Sequence, residues 1–468
     1  MKLRRDCIGK VSVVFTAVLM CVLLVTSCQK NDEGKNGPKD DVNTWIYKTM
    51  QEHYLWYGEM PSQKRLVYSL SPEDFFNSLL VDEDGAILNN TKIRFSTIEK
   101  KDKTTKAISD ASDSYGFEYA SLRLTNGLYY AWVLYVLPDS PAAEAGLKRG
   151  DWILGVNNIS PIMDTSTLNS GAGTHFQMGQ YVKDKGFVKS GTIDISASRA
   201  VNNNPFLKDS VYHVDGKTIG YLLYNHFTSG PDNKDYSYDE RMKQIFASFK
   251  SGNVNEFVLD LRYNGGGLVT SSQLLTSLLA PANALGKTFC IMEYNDKHTD
   301  DTQTLPLKNN NELSNANLNL KRIYVLVGDL TASASEAVIN CLIPYMGREN
   351  ITLIGQKTIG KRVGSVSYGD NEDYGWILHP ITFNIFNADH NADYGNGFNP
   401  DVDLNEMDYQ HNVLYPLGDR NELLLGAAID LITGRTSKSP SVQTGGTTEF
   451  SYPSLERKAK GLIYTPEK

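Results

Sequence analysis

The stretch Arg322 to Glu336, RIYVLVGDLTASASE, decides the fold of the largest part of this chain. Its first half is an uninterrupted apolar run, which is typical of a strand buried on both faces of a parallel sheet. From Ala337 onward, apolar residues recur at helical spacing. Ser333 is therefore predicted at a strand-to-helix turn, where free backbone N–H groups and the positive end of the helix dipole face the same space.

Two interpretations of Ser333 are open on this stretch alone. A serine before a helix is most often an N-cap, whose side chain accepts a hydrogen bond from the helix backbone. The same position suits a nucleophile, because the free N–H groups would stabilise an oxyanion formed when the hydroxyl attacks a carbonyl.

Composition and charge narrow the class of protein. The 468 residues are 41% hydrophobic and 21% charged, with a net charge of −8, which is typical of a globular protein of two or three domains. An acidic chain argues against nucleic acid as a main partner. Cys290 and Cys341 lie in apolar runs, which favours buried free thiols, although a disulfide between them stays open.

The first 27 residues are predicted to be a signal peptide. A basic start precedes an apolar segment at residues 11–25, which is too short for a comfortable transmembrane helix. The ending LVTSC, which closes on Cys28, resembles a bacterial lipobox and implies cleavage before Cys28 and lipidation of that residue. An ordinary secretory signal is the alternative. With a polar linker at 28–41, we expect a lipid-anchored protein of the cell envelope, on the periplasmic or surface face of the outer membrane.

Residues 42–106 are predicted to be a helical N-terminal domain, because apolar residues recur at helical spacing and Ser71-Pro72 is a typical helix start. Residues 113–202 show short alternating strands instead. Within them, the run from Ser140 to Asn157 reads SPAAEAGLKRGDWILGVN. Its Ser-Pro pair starts a short helix, a glycine ends that helix, and Gly-Asp turns the chain into a strand.

This run resembles the signature of a PDZ domain, with its elements in the permuted order of bacterial members. The resemblance implies capture of a peptide C-terminus by strand addition, with the loop Tyr115-Gly116-Phe117 binding the carboxylate. A PDZ domain that serves only as a spacer or lid is the alternative.

Residues 209–432 alternate strands and helices, which predicts a largely parallel sheet with helical crossovers. In DLRYNGGG, which ends at Gly267, a glycine turn lets backbone N–H groups face a cleft. In GQKTIGKRVGS, Lys361 lies just beyond another strand. A lysine shielded from water has a lowered pKa and can accept the proton of a serine hydroxyl. Residues 435–468 are polar and predicted to be a flexible tail.

These segments, in this order behind a PDZ-like run, resemble the carboxyl-terminal processing (tail-specific) serine proteases. Residues 115–404 carry the resemblance, and the aromatic-rich start with its IRFS run, which ends at Ser96, is similar to lipoprotein members from Bacteroidetes. The resemblance implies a crotonase/ClpP-like α/β protease core with a PDZ domain and a helical N-terminal segment. It implies neither a cofactor nor a metal.

The resemblance also implies roles for individual residues. Ser333 matches the nucleophile and Lys361 the general base, while the N–H groups of Gly266 and Ala334 match the oxyanion hole. The chain departs from the family pattern in three places. Ser333 and Lys361 are 28 positions apart, a few more than is common, and the extra residues fit in the loop at 344–350. Arg362 replaces the usual glycine, and Ser365 stands where many members have a glutamine that orients the lysine. Ser365 or Gln356 is predicted to orient Lys361, and a poorly held lysine would lower the rate.

Weaker site patterns stay as alternatives. His379 is a candidate partner for Ser333 in a serine–histidine pair, although a structural histidine is favoured. Residues 389–400 resemble a calcium loop but lack the glutamate at its twelfth position, so no metal site is predicted.

The predicted function is a serine endopeptidase that cleaves exported or unfolded polypeptides recruited by their C-termini. A catalytically weak, peptide-binding surface lipoprotein is the alternative. A glycan-handling lipoprotein is less favoured, because no carboxylate pair at useful spacing is found in the sequence. The oligomeric state is open, a dimer included.

Overall fold

The computed structural model describes residues 41–88, 91–101, 111–232, 234–369, 374–435 and 450–452. The predicted signal peptide, Cys28 and the linker up to residue 40 lie outside the described residues. From Val42 onward the chain forms one unit. Within the described ranges, no helix combines the length and apolar character needed to cross a membrane.

The N-terminal segment contains two helices followed by short strands. Ser71 caps the second helix by accepting a hydrogen bond from Asp74 N, as its sequence predicts. The helical prediction for 42–106 is wrong for residues 86–88, 91–93 and 97–100, because these residues pair as strands, the last group with the core. The elements are α1 (Val42–His53), α2 (Pro72–Leu79), β1 (Ala86–Leu88), β2 (Thr91–Ile93) and β3 (Thr97–Lys100).

The next segment forms an antiparallel sheet in which five strands follow one another in chain order from β5 to β9. Ser140 caps the short helix α3 by accepting a hydrogen bond from Ala143 N. The elements are β4 (Ala111–Ser114), β5 (Phe117–Arg123), β6 (Tyr129–Val136), α3 (Pro141–Glu144), β7 (Trp152–Val156), a 3-10 helix (Thr165–Asn169), β8 (Thr174–Val182), β9 (Gly186–Ile195) and β10 (Arg199–Asn202), which pairs with β4.

The core is built on a six-stranded sheet in the order β11-β12-β13-β16-β17-β21. Neighbouring strands from β12 to β21 are parallel, which confirms the predicted α/β fold. The elements are β11 (Phe206–Val214), β12 (Lys217–Tyr224), α4 (Ser237–Ser251), β13 (Glu256–Asp260), α5 (Val269–Leu279), β14 (Thr288–Tyr294), β15 (Gln303–Pro306), β16 (Ile323–Val327), α6 (Ala334–Met346), β17 (Ile351–Gly355), β18 (Val363–Ser365), β19 (Trp376–His379), β20 (Ile381–Phe386), β21 (Val402–Asp403), α7 (Leu423–Thr433) and β22 (Phe450–Ser451).

Helices α5 and α6 pack in the largest hydrophobic cluster, between the main sheet and an antiparallel sheet of order β15-β14-β20-β18. Cys290 and Cys341 are buried there as free thiols. Parallel strands end at the same edge of a sheet. The glycine turn after β13, the Ser333 turn after β16 and the Lys361 loop after β17 therefore lie along one edge.

Part of the predicted flexible tail is ordered. Strand β22 pairs antiparallel with β5, and both Phe450 and Tyr452 are buried. The flexible-tail prediction is thus wrong for residues 450–452, because alternating aromatic side chains fill an apolar cluster. The remaining tail residues lie outside the described ranges.

A buried charge cluster joins the β5–β9 sheet to the core. Arg149, in the turn before β7, donates hydrogen bonds to Glu406 Oε2 (2.8 Å) and to the Tyr263 hydroxyl (2.6 Å). Arg262 donates to Glu406 Oε2 (2.8 Å) and Glu422 Oε1 (2.7 Å). Burial raises the pKa of Glu422, but Arg262 and Arg149 lower it to about 2. Asp260 also pairs with Arg262, so the cluster holds two guanidinium groups and three carboxylates.

Replacing Arg149 by methionine leaves the three buried carboxylates with Arg262 alone. An uncompensated buried charge is expensive, so R149M is expected to lose about 3–5 kcal/mol of unfolding free energy. Urea unfolding followed by tryptophan fluorescence measures this loss. The control is R199M, because Arg199 pairs with Glu144 at the surface and should matter much less. Equal losses in both variants would contradict the argument.

Candidate functional site

The glycine turn and the Ser333 turn touch each other at the sheet edge. A Cβ atom added to Gly266 would lie 2.8 Å from Ser333 Cβ and 3.2 Å from Ala334 N. Gly266 also has a φ of 112°, which side-chain-bearing residues rarely adopt. Only glycine therefore allows this loop to approach the start of α6.

Ser333 occupies the N-cap position of α6 but its hydroxyl does not cap the helix. Its φ of 62° and ψ of −116° are strained values for a residue with a side chain. Ser333 Oγ is buried and has no hydrogen-bond partner among the described residues. The hydroxyl is thus kept unengaged in a strained turn, which favours the nucleophile over the capping interpretation.

Ser335 has a different position. Its hydroxyl donates a hydrogen bond to the carbonyl oxygen of Asn264 (2.9 Å). Ser335 therefore fastens the glycine turn to the first turn of α6, and Ser333 is left as the serine with an available hydroxyl.

Of the two backbone N–H groups predicted to form the oxyanion hole, one already donates a hydrogen bond within the protein. Gly266 N donates to the side-chain oxygen of Asn264 (2.9 Å), and the Asn264 amide in turn donates to the Tyr224 carbonyl (2.8 Å). The Gly266 N–H is engaged by this turn in the closed state, and its role in the oxyanion hole stays a prediction. No hydrogen bond from Ala334 N to a described residue is found.

Lys361 is enclosed in an apolar environment. Its side chain is 1% exposed, and Nζ lies 5.2 Å from the centre of the Phe95 ring. Burial lowers the pKa of Lys361 to about 8, although the charges of Asp84 and Glu336 act in the opposite direction. A substantial share of this amine is therefore neutral near pH 8, as a general base requires.

Ser333 and Lys361, the predicted dyad, are closed off from solvent in this structure. Ser333 is 0% exposed, and no hydrogen bond joins its Oγ to Lys361 Nζ. Within the described residues, neither Ser365 nor Gln356 hydrogen-bonds Nζ. Ser365 is buried in β18, while Gln356 lines a cavity with Tyr263. The lysine-orienting role of these two residues stays a prediction.

Asp84 and Phe95, both in the N-terminal segment, contribute to the environment of Lys361. Neither residue was identified from the sequence as part of the site. Asp84 is buried and accepts hydrogen bonds from Phe95 N (3.0 Å), Ser96 N (2.9 Å) and the Tyr54 hydroxyl (2.8 Å). These bonds hold Phe95 against Lys361. Local sequence contains no signal for this contact, because the two sides are far apart in the chain.

Glu336 was also missed, and it connects the two halves of the dyad. Its Oε2 accepts hydrogen bonds from Ser333 N (2.9 Å) and Lys361 N (2.8 Å). Its Oε1 accepts from Gly360 N (2.7 Å) and the Thr358 hydroxyl (2.5 Å). Burial raises the pKa of Glu336 to about 7, against the lowering effect of these four donors. The Ser-x-x-Glu spacing of a capping box is a signal that could have found it.

The other sequence candidates lie elsewhere. His379 Nδ1 bonds the Ser367 hydroxyl (2.9 Å), so the alternative pairing of His379 with Ser333 is wrong. Among the described residues, no group of three or more His, Cys, Asp or Glu is arranged to hold a metal ion.

The predicted carboxylate loop is well anchored. The Tyr115 hydroxyl bonds the Ala172 carbonyl, and the Gly116 carbonyl accepts from Leu137 N (2.7 Å). Gly116 has a φ of 78°. Carboxylate binding by Tyr115, Gly116 and Phe117 stays a prediction.

Replacing Glu336 by glutamine is expected to destabilise the protein and abolish the dyad geometry. An amide presents an NH₂ group to N–H donors of the turn, and each buried donor left without an acceptor costs about 1–3 kcal/mol. Thermal unfolding measures the loss. The control is E312Q at an exposed carboxylate, for which no change is expected. An unchanged melting temperature for E336Q would show that the four bonds are not important for stability.

Sequence comparisons identify three family segments in the chain. The Peptidase S41 N-terminal domain matches residues 41–97, a PDZ domain matches 132–169, and Peptidase family S41 matches 218–404. The chain is 25% identical over 235 residues to a carboxyl-terminal-processing protease of Synechocystis, with 49% of each chain covered. It is 28% identical over 277 residues to the chloroplastic carboxyl-terminal-processing peptidase 1 of Arabidopsis thaliana, with 58% of this chain and 51% of that one covered.

The chain spans about half the length of these curated relatives. Among solved structures, one from Bacteroides fragilis assigned as an S41 protease shares 35% identity with this chain. The match covers 86% of this chain and 99% of that one, with a TM-score of 0.73. By this likeness and the three matched segments, the chain belongs to peptidase family S41, the family of the carboxyl-terminal processing proteases, and carries a PDZ domain.

Proposed function

We propose that this protein is a serine endopeptidase of the C-terminal processing type, with Ser333 as nucleophile and Lys361 as general base. One observation carries the proposal. A serine hydroxyl in a strained turn and a buried lysine amine both lack hydrogen-bond partners among the described residues. The backbone N–H groups of these two residues donate to the same carboxylate, that of Glu336.

The proposed mechanism begins with neutral Lys361. The amine takes the Ser333 proton while Oγ attacks the substrate carbonyl, and the resulting oxyanion accepts a hydrogen bond from Ala334 N. The Gly266 N–H becomes a second donor when it leaves Asn264. Lys361 then returns the proton to the leaving amine, which releases the C-terminal product and leaves an acyl-enzyme. It next takes a proton from water as the water oxygen attacks the acyl carbonyl, and it returns that proton to Ser333 Oγ as the N-terminal product leaves with a new carboxyl group.

Substrate access requires a change from the closed state, because both side chains of the dyad are buried. We propose that the PDZ domain recruits exposed C-termini of exported or unfolded polypeptides by strand addition. Lipidation at Cys28 and a place in the cell envelope are proposals from the N-terminal sequence.

A catalytically weak, peptide-binding protein is the second candidate. It is favoured by the absence of a hydrogen bond between Ser333 Oγ and Lys361 Nζ among the described residues. The engagement of the Gly266 N–H by Asn264 points the same way.

Variants of the two serines and the lysine test the proposal. S333A and K361A are each expected to lower kcat/KM at least about 1,000-fold, because members of a catalytic pair act as a unit. S335A is the matched control, and we expect it to keep activity within about tenfold. Cleavage of an unfolded protein with an apolar C-terminus is followed by mass spectrometry. If the parent protein binds the C-terminal peptide without cleaving it, the second candidate is supported. If activity is lost in S335A but not in S333A, Ser335 and not Ser333 is the nucleophile.

The pH dependence tests the base. Since only the neutral amine accepts a proton, kcat/KM should rise with pH through about 8, the pKa of Lys361. D84N removes a charge that raises this pKa, so its midpoint should move to lower pH. Y54F removes a hydrogen bond to Asp84 without changing charge and should leave the midpoint in place. A midpoint near 6.5 in all three proteins would indicate a histidine instead.

A further inference from the structure

The outer edge of β5 is the place where a peptide can extend the PDZ sheet. The inner edge of β5 is paired along its length with β6. An edge strand presents unpaired N–H and C=O groups that accept an added strand. A peptide recruited to β5 must therefore use its outer edge.

Part of this edge is already paired with the chain's own C-terminal segment. Phe450 lies opposite Leu122, and Ser451 lies opposite Ser121, in antiparallel register. In this register, later residues of the segment lie toward the beginning of β5, where the Tyr115–Phe117 loop is. The segment thus runs in the direction expected for a peptide whose C-terminus binds that loop.

Two buried aromatic residues anchor the segment. Phe450 is 5% exposed and stacks on Trp132, with ring centres 6.1 Å apart. Tyr452 is 3% exposed and hydrogen-bonds the Asp329 side chain. Burying two aromatic side chains removes a large apolar area from water and so stabilises the contact. A two-residue strand without such anchors would not be held.

Tyr452 connects the PDZ edge to the catalytic turn. It lines a cavity together with Tyr263, Asp329 and Leu330. Tyr263 directly precedes the glycine turn, and Asp329 and Leu330 lie between β16 and Ser333. The same short segment therefore contacts the peptide-binding strand and both loops that carry the proposed active site.

We propose that Phe450–Tyr452 is an internal ligand of the PDZ domain, which a substrate's C-terminal segment displaces from the outer edge of β5. The inference rests on the proposed recruitment of C-termini by this domain. Displacement also withdraws Tyr452 from the loops beside Ser333 and so links peptide binding to the closed site. The ligand class is an extended peptide with a free C-terminus that is long enough to reach Ser121 and Leu122.

The test compares peptide affinity with and without the anchors, in the chain from Asp41 to Lys468 carrying S333A to prevent cleavage. The probe is a fluorescein-labelled octapeptide ending in Leu-Ala-Ala with a free carboxylate, and its Kd is measured by fluorescence anisotropy. The double variant F450S/Y452S is expected to bind about tenfold more tightly or better, because the competent state is no longer a minor population. The control V211S/Y236S changes two exposed side chains of the protease domain, outside the PDZ domain, and should leave the Kd unchanged.

Hydrogen exchange provides a second readout that needs no peptide. The amides of Ser121 and Leu122 should exchange faster in F450S/Y452S than in the parent. In case the double variant is poorly folded, S451P removes a backbone donor but keeps both anchors, and S451A is its control. Equal peptide affinity in parent and variants, or unchanged exchange at β5, would overturn the internal-ligand proposal while leaving recruitment intact.

A synthetic peptide of residues 446–455 separates the two proposals. If neither the parent nor any variant binds the octapeptide, the proposal that the domain recruits C-termini is wrong. The internal-ligand proposal is then tested by the 446–455 peptide alone. Binding of the 446–455 peptide to F450S/Y452S, with at least tenfold weaker binding to the parent, supports the internal ligand. Absence of binding to F450S/Y452S overturns it.

Discussion

The proposed active site depends on the four hydrogen bonds that converge on the Glu336 carboxylate. Ser333 and Lys361 come from loops after different strands. Packing of the sheet alone would leave the distance between them dependent on the conformations of two separate loops. One carboxylate that accepts from both backbones gives them a common reference point. Because Glu336 lies in the first turn of α6, the helix that presents the nucleophile also supplies this reference. The pair is thereby positioned from the backbone, while both side-chain tips stay unbonded.

The chemistry of the lysine depends on a part of the chain outside the core. Phe95 covers Lys361, and Asp84 holds Phe95 in place through backbone hydrogen bonds. An amine has a lowered pKa only while water is excluded from it. The N-terminal segment is therefore a structural part of the environment of the proposed base, because Phe95 is one of the residues that cover Lys361.

Local sequence predicted what depends on local patterns. Apolar runs and helical spacing indicated the parallel sheet, and parallel strands bring the turns after β13, β16 and β17 to one edge. In the sequence, the family resemblance grouped Gly266, Ser333 and Lys361, and the parallel sheet explains why their turns meet at one edge. Local patterns could not supply the Phe95–Lys361 contact, which joins distant parts of the chain, or the capture of the Gly266 N–H by the Asn264 side chain, which depends on a rotamer. The strand Phe450–Ser451 is too short to show any periodicity, so its aromatic residues appeared to belong to a polar tail.

The buried charge cluster restricts how the closed protein can open. If the PDZ domain separated from the core, Arg149 would leave Glu406, and Arg262 would remain with three buried carboxylates. That charge imbalance is far more costly than rearranging apolar contacts around it. A rotation of the domain that keeps Arg149 on Glu406 avoids this cost, whereas full separation of the domain does not. We therefore expect an opening motion that keeps the Arg149–Glu406 contact to be favoured over one that breaks it.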